Sequence, residues 1–195
     1  MNFEPSPQAV RILDRAQVLI AAGGYNGFSY ADVSADVGIT KASIHHYFPK
    51  KSDLVRTLLQ RYRAAAEDGL AVLQSKVSGA DGQLRAYAGW WAACIADGSM
   101  PICICAMLGA EIPALPEEVA AEVQAHFVFL AGWLEGVLDA GAVAGVFELC
   151  NTPAAEAQAF MATVHGAMLT ARALGEPSLF KSTVDATLRR LTTVA

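Results

Sequence analysis

Residues 28–54 read FSYADVSADVGITKASIHHYFPKKSDL, two short helical patterns hinged on a glycine. The Ser29 hydroxyl can cap the first helix, and Asp32 three residues on completes a shortened capping box while placing negative charge at the positive end of the helix dipole. Tyr30, Val33 and Val37 recur at helical spacing and are expected to face a core. Gly38 supplies the permissive backbone of a tight turn. Ile39 then fills the gap between the helices, and Thr40 caps a second helix about two turns long. In that helix only Ala42, Ile44 and Phe48 are candidates for burial, against Lys41, Ser43, His45, His46 and Tyr47. A short helix that polar must show most of its surface to something wet or charged. Taken singly, the histidines read as solvated residues, and Lys50 and Lys51 as the start of an ordinary charged helix. Cap, glycine turn, polar helix, aromatic stop and basic pair, in that order, are the parts needed to seat a helix end in a major groove. The segment is therefore read as a helix-turn-helix.

From Gly38 to Lys51 the chain runs GITKASIHHYFPKK. This resembles the DNA-binding segment of the TetR/AcrR family of bacterial transcriptional regulators, where G-V-S-K-G-T-L-Y-H-H-F-P-S-K is typical. The likeness is specific over the N-terminal part of the chain and one of architecture beyond it. It implies that Thr40 contacts phosphate at the start of the recognition helix, that Lys41 and Ser43 reach base edges or phosphates, and that His46 and Tyr47 grip backbone and bases. Lys51, opening the next helix, is expected to hold a phosphate. With Ser29 and His45 these make the expected DNA-contacting set. His45 departs from the pattern, since tyrosine is usual there; histidine has a shorter reach and can charge near neutral pH, so a contact at this place is expected to depend on pH. The resemblance further implies a cytoplasmic homodimer, paired through its last two helices, that sets two heads into successive major grooves of a palindromic double-stranded operator, about 34 to 36 Å apart. A small-molecule effector in the body would release a repressor of this kind.

Composition bounds the reading. At 195 residues with 54% hydrophobic content and mean hydropathy of +0.34, burying a core is no difficulty, and the surplus suggests apolar surface for a partner or ligand. The net charge of −5 looks wrong for a DNA binder until it is divided. Residues 1–63 carry eight Lys or Arg and five Asp or Glu, net +3, whereas residues 64–195 carry six and fourteen, net −8. A basic head on an acidic body directs the head toward phosphate. The longest charge-free run, Ala16 to Ala31, has 16 residues broken by glycines, so no membrane span is expected, and the N-terminus lacks the pattern of a secretory signal. Cysteines 94, 103, 105 and 150 lack metal-finger spacing and fit reduced thiols better than a disulfide framework.

Strand signals are nearly absent, and Gly and Pro divide Ala-rich segments at helical intervals, which gives an all-α fold of about nine helices. The expected spans are Pro7 to Ala22, the two motif helices, a lever from Ser52 to Val77, then Gly82 to Ala96, Ile102 to Glu111, Pro116 to Ala140, Pro153 to Leu174, and Ser178 to Thr193. Residues 1–51 are assigned to a DNA-binding domain and 52–195 to an effector-binding and dimerisation domain. The penultimate helix is apolar on several faces and so must be buried on several faces, either at a dimer interface or at the centre of a monomeric bundle.

Within the body, Tyr62, Trp90, Trp91, Cys94, Met100, Cys103, Met107, Phe127 and His165 are candidates to line a pocket for a small, mainly hydrophobic or aromatic effector, with His126 a further polar group; each also reads as ordinary core. Cys103 and Cys105 admit three readings: buried small hydrophobes, sensor thiols, or soft-metal ligands. No Lys or Arg lies between Arg85 and Arg172 to lower a thiol pKa. No cofactor and no resident metal are expected. With no G-x-S-x-G, H-E-x-x-H or phosphate-cradling glycine loop, an enzyme is not expected either.

Overall fold

The computed structural model describes residues 6–192. Among these are nine α-helices: α1 Pro7–Gly23, α2 Tyr30–Val37, α3 Lys41–Tyr47, α4 Lys51–Lys76, α5 Ala80–Asp97, α6 Ile104–Gly109, α7 Glu117–Val143, α8 Pro153–Leu174 and α9 Ser178–Leu191. A 3-10 turn, Ile112–Ala114, follows α6, and an isolated bridge joins Phe147 to Thr192. The fold is all-α as the periodicity predicts. The expected end of the last helix at Thr193 lies outside the described residues.

The chain packs as two compact units. The first comprises the described part of residues 1–64 together with 104–126. Its core is Ile12, Leu13, Ala16 and Ile20 of α1, Val33, Ile44, and Leu54, Val55, Leu58 and Leu59 of α4, all fully buried. Ion pairs fasten α1 to its neighbours, Arg15 to Asp36 of α2 and Arg61 of α4 to Asp14. The start of α7 is stapled along α4. The Ser52 hydroxyl donates to Glu118, Gln60 Nε2 donates to Glu122 Oε1 at 2.6 Å, and Arg63 pairs with Glu122 Oε2 at 2.7 Å.

The second unit comprises residues 65–103 and the described part of 127–195. Leu84, Ala88 and Ile95 of α5, Phe160, Val164 and Met168 of α8, and Phe180, Val184 and Leu188 of α9 are buried in it. At the end of α7 the chain turns tightly because Gly141 lacks a side chain: a Cβ there would lie 2.1 Å from the Phe147 ring.

Two expectations are corrected. The helix expected from Ile102 to Glu111 is shorter, because Pro113 and the bonding of Glu111 N–H to the Leu108 carbonyl convert its end to 3-10 geometry. One helix, α7, does meet the length and hydropathy of a membrane span, since such a window tolerates two charges that a charge-free run does not. Its positions Val119, Val123, Leu130, Leu134 and Leu138 are buried, whereas Val128 and Val143 are exposed.

Candidate nucleic-acid interface

The geometry of the interface follows from its caps. Ser29 Oγ accepts from Ala31 N–H at 3.2 Å, while Asp32 Oδ2 accepts from both the Ser29 N–H and the Ser29 hydroxyl at 2.7 Å. The predicted capping box is thus formed, and hydrogen bonds from Ser29 hold the Asp32 carboxyl below its ordinary pKa. Gly38 closes α2 with φ +73°, a left-handed conformation that favours glycine. Arg11 donates to the Val37 carbonyl at 2.9 Å, satisfying an acceptor at that helix end which the motif alone did not reveal. Thr40 Oγ1 then accepts from Ser43 N–H at 3.1 Å and opens α3.

On α3 the buried side is Ile44, with Phe48 just past its end. Thr40, Lys41, His45, His46 and Tyr47 are exposed and Ser43 is half-buried. Ala42, expected in the core, is exposed instead: a seven-residue helix packed on one residue has no room for a second inward position one face away. The exposed polar side chains nonetheless have tethers. Thr40 and Ser43 hydroxyls lie 2.9 Å apart, His45 Nδ1 is 3.2 Å from the Pro49 carbonyl, and His46 meets Tyr47 edge-on at 5.4 Å between ring centres. Tyr30 supports the helix from α2, with its hydroxyl on the Phe48 carbonyl and its ring 4.7 Å from that of His45.

Lys51 differs from its exposed neighbours. It is half-buried, its ammonium donating to the Phe28 carbonyl and lying 4.7 and 4.1 Å from the ring centres of Tyr25 and Phe28. Burial lowers its pKa, opposed by the nearby carboxylates of Glu111 and Asp32. One of its three donors is therefore committed within the fold. Most arginines of this unit are likewise engaged with acids or carbonyls. Lys41 and Lys50 are exposed and make no side-chain hydrogen bond or ion pair among the described residues. They stand on either side of α3, so the unpaired positive charge of this unit flanks that helix.

The residues expected to meet an effector fall in both units. In the first, Tyr62 is half-buried with its ring 5.3 Å from that of buried His126, and Met107 is half-buried on α6. The Cys105 sulfur and a ring nitrogen of His126, both buried, lie within 4.8 Å of each other. In the second unit, Phe127 and His165 meet edge-on at 5.2 Å, and Cys94 and Met100 are half-buried, joined by a backbone hydrogen bond of 3.2 Å. Trp91 is buried and Cys103 fully so, beside Tyr87, whose phenol is held above its ordinary pKa first by burial and then by that thiol. Trp90 is 50% exposed and stacks edge-on against Trp91 at 4.8 Å. Trp133, 5.5 Å from Tyr87 between ring centres, buries its indole N–H with no hydrogen-bond partner among the described residues. A cleft of about 170 Å³ between α5 and α9 is lined by Arg85, Ala88, Gly89, Phe180, Lys181, Val184 and Asp185, none of them an expected effector contact. None of the four cysteines is in a disulfide.

Residues 12–58 match the family model described as bacterial regulatory proteins, tetR family. The solved structure of a transcriptional regulator, TetR family, from Agrobacterium tumefaciens is 52% identical and has a TM-score of 0.95, the match covering 97% of this chain and 100% of that one. This chain belongs to the TetR family of transcriptional regulators. Two more distant relatives share the fold. A TetR regulator from Legionella pneumophila is 23% identical with a TM-score of 0.85, covering 98% of this chain and 100% of its own. A putative regulator from Saccharomonospora viridis, solved in complex with choline, is 19% identical with a TM-score of 0.80, covering 97% and 100%. No curated protein matches the chain. In TetR-family terms, α1 to α3 with the start of α4 form the helix-turn-helix DNA-binding domain of a transcription regulator.

Proposed function

We propose that this TetR-family regulator is a homodimeric, cytoplasmic repressor that binds a palindromic operator through α3 and releases it when a small, mainly hydrophobic or aromatic effector occupies the body. The observation that carries the operator reading is the pair of exposed, unbridged cations Lys41 and Lys50 bracketing a polar helix capped at Thr40. Thr40, Ser43, His45, His46 and Tyr47 supply further donors toward phosphates and base edges. Ser29 acts through its cap, and Lys51 has donors left for a phosphate beyond the Phe28 carbonyl.

Dimerisation draws its support from α8. Ala155, Ala159, Ala162, Gly166, Leu169, Ala173 and Leu174 are exposed or half-buried on it, opposite the buried Phe160, Val164 and Met168. A single polar helix seldom supplies enough contacts for a specific site, and a two-fold dimer doubles them. For the effector, the unpartnered Trp133 indole N–H supplies a donor that an acceptor on an otherwise apolar ligand would satisfy. Selection from randomised duplexes followed by footprinting tests the operator reading. A two-fold symmetric site, bound at moderate salt and abolished by Lys41→Ala plus Lys50→Ala, is the expected result; absence of any specific site would defeat it.

A second reading, sensing through thiols or a soft metal, is favoured by the proximity of Cys105 and His126, since thiolate and imidazole suit copper(I) and zinc. It requires that Cys103→Ser or Cys105→Ser abolish induction while operator binding survives.

A further inference from the structure

The Glu111 carboxylate occupies space that the chain leaves open by having no side chain. Its Oε1 accepts the Tyr25 backbone N–H at 3.1 Å, and a Cβ built at Gly24 would lie 1.7 Å from that same oxygen. Gly24 has φ +72°, so the position is reserved for glycine by conformation and by space together. Glu111 is itself fixed by its backbone, donating to the Leu108 carbonyl at 2.9 Å and accepting from Ala114 N–H at 2.8 Å. The corner after α6 thereby presents its carboxylate to the end of α1. Tyr25 carries the effect onward, because its ring is one wall of the seat that brackets the Lys51 ammonium; Phe28 is the other wall. Phe28 immediately precedes the Ser29 cap of α2, and Lys51 opens α4 directly after the stop of α3. One carboxylate thus reaches both flanks of the recognition helix through one amide and one lysine.

We propose that Glu111 is a positioning residue for DNA binding: by holding the Gly24–Tyr25 turn it fixes the Lys51 seat, and through that seat the presentation of α3. The inference rests on the reading of α3 as the operator-contacting helix. Without the carboxylate the Tyr25 N–H loses its acceptor, the Tyr25 ring is released from the ammonium, and the Phe48–Lys51 turn loosens. Glutamine keeps an acceptor oxygen at the same reach and preserves the clamp.

The test compares full-length Glu111→Ala, Glu111→Gln and Gly24→Ala by amide hydrogen exchange and by affinity for a duplex selected from a randomised library. In Glu111→Ala, exchange at Tyr25 and at Ile44–Phe48 is expected to rise about tenfold or more, with α8 and α9 unchanged. Affinity is expected to fall about 3- to 10-fold, the worth of one hydrogen bond. Glu111→Gln should stay within about twofold of the parent on both measures. Gly24→Ala should reproduce the alanine phenotype with Glu111 still present, and combining it with Glu111→Ala should add little, since both remove the same hydrogen bond. Faster exchange confined to Tyr25, or a glutamine variant as impaired as the alanine one, overturns the proposal. If the parent chain binds no selected duplex, the operator reading fails by itself, and exchange at Ile44–Phe48 still decides whether Glu111 positions α3.

Discussion

The Tyr30 hydroxyl donates to the Phe48 carbonyl at 2.8 Å, so the first residue of α2 holds the far end of α3. Burial, with a lesser contribution from Asp53, keeps that phenol above its ordinary pKa and therefore a donor throughout the physiological range. Tyr30→Phe deletes the bond and leaves the ring. A stability loss of about 0.5 to 1.5 kcal/mol in chemical denaturation is expected, together with weaker operator binding.

Lys50 and Lys51 are adjacent in sequence and differ in setting, one exposed and the other half-buried between Tyr25 and Phe28. Lys50→Ala should leave the unfolding midpoint unchanged and reduce the slope of log affinity against log salt, by about 0.9 for each phosphate that is no longer neutralised; Lys41→Ala should behave alike. Lys51→Ala should cost about 1 to 2 kcal/mol of stability, because it removes both the carbonyl bond and the aromatic bracket. A Lys51 variant of parental stability would contradict the structural role.

The Asp32 cap gives a pH signature on the acid side. Its folded pKa is depressed, so its contribution is present above the ordinary Asp value of about 3.9 and is lost as pH falls through the lower folded value. The parent should be more stable than Asp32→Asn near neutrality, and the gap in urea midpoint should narrow below about pH 4. A gap that widens on acidification would contradict the cap.

Leu169 is 58% exposed on α8. In the proposed dimer it is covered, so Leu169→Glu should bury an unpaired charge and separate the protomers. Analytical ultracentrifugation should find the parent at about 41 kDa, twice 20.5 kDa, and the variant at the single-chain mass. A parent that sediments as a monomer would count against the dimer.

What was legible in the sequence is what local chemistry fixes. Ser29, Asp32, Gly38 and Thr40 announce their caps and turn within four residues, and α2 and α3 form as they imply. The apolar spacing of Val119, Val123, Phe127, Leu130, Leu134 and Leu138 along α7 likewise reads as one stripe, and all but the half-buried Phe127 are buried. Contacts between distant residues were not legible. Nothing near Lys51 in the chain marks it as seated between Tyr25 and Phe28, nothing near Glu111 points to Gly24, and the exposure of Ala42 follows from how short a helix rests on Ile44. The effector residues lay between these extremes: Phe127 and His165 do meet, whereas Trp90 is half exposed, and that the Trp133 indole N–H is buried without a partner among the described residues is a long-range fact no spacing records.

The staples of the first unit join Ser52, Gln60 and Arg63 on α4 to two acids of α7, Glu118 and Glu122, that are spaced by about one turn. A slide of a fraction of a turn would strand all three polar contacts together, and a full turn of about 5.4 Å would re-pair only one of the two acids, leaving donors of α4 facing His126 or Ala114. Such a helix pair resists graded displacement, so the start of α7 is keyed to α4 in a single register.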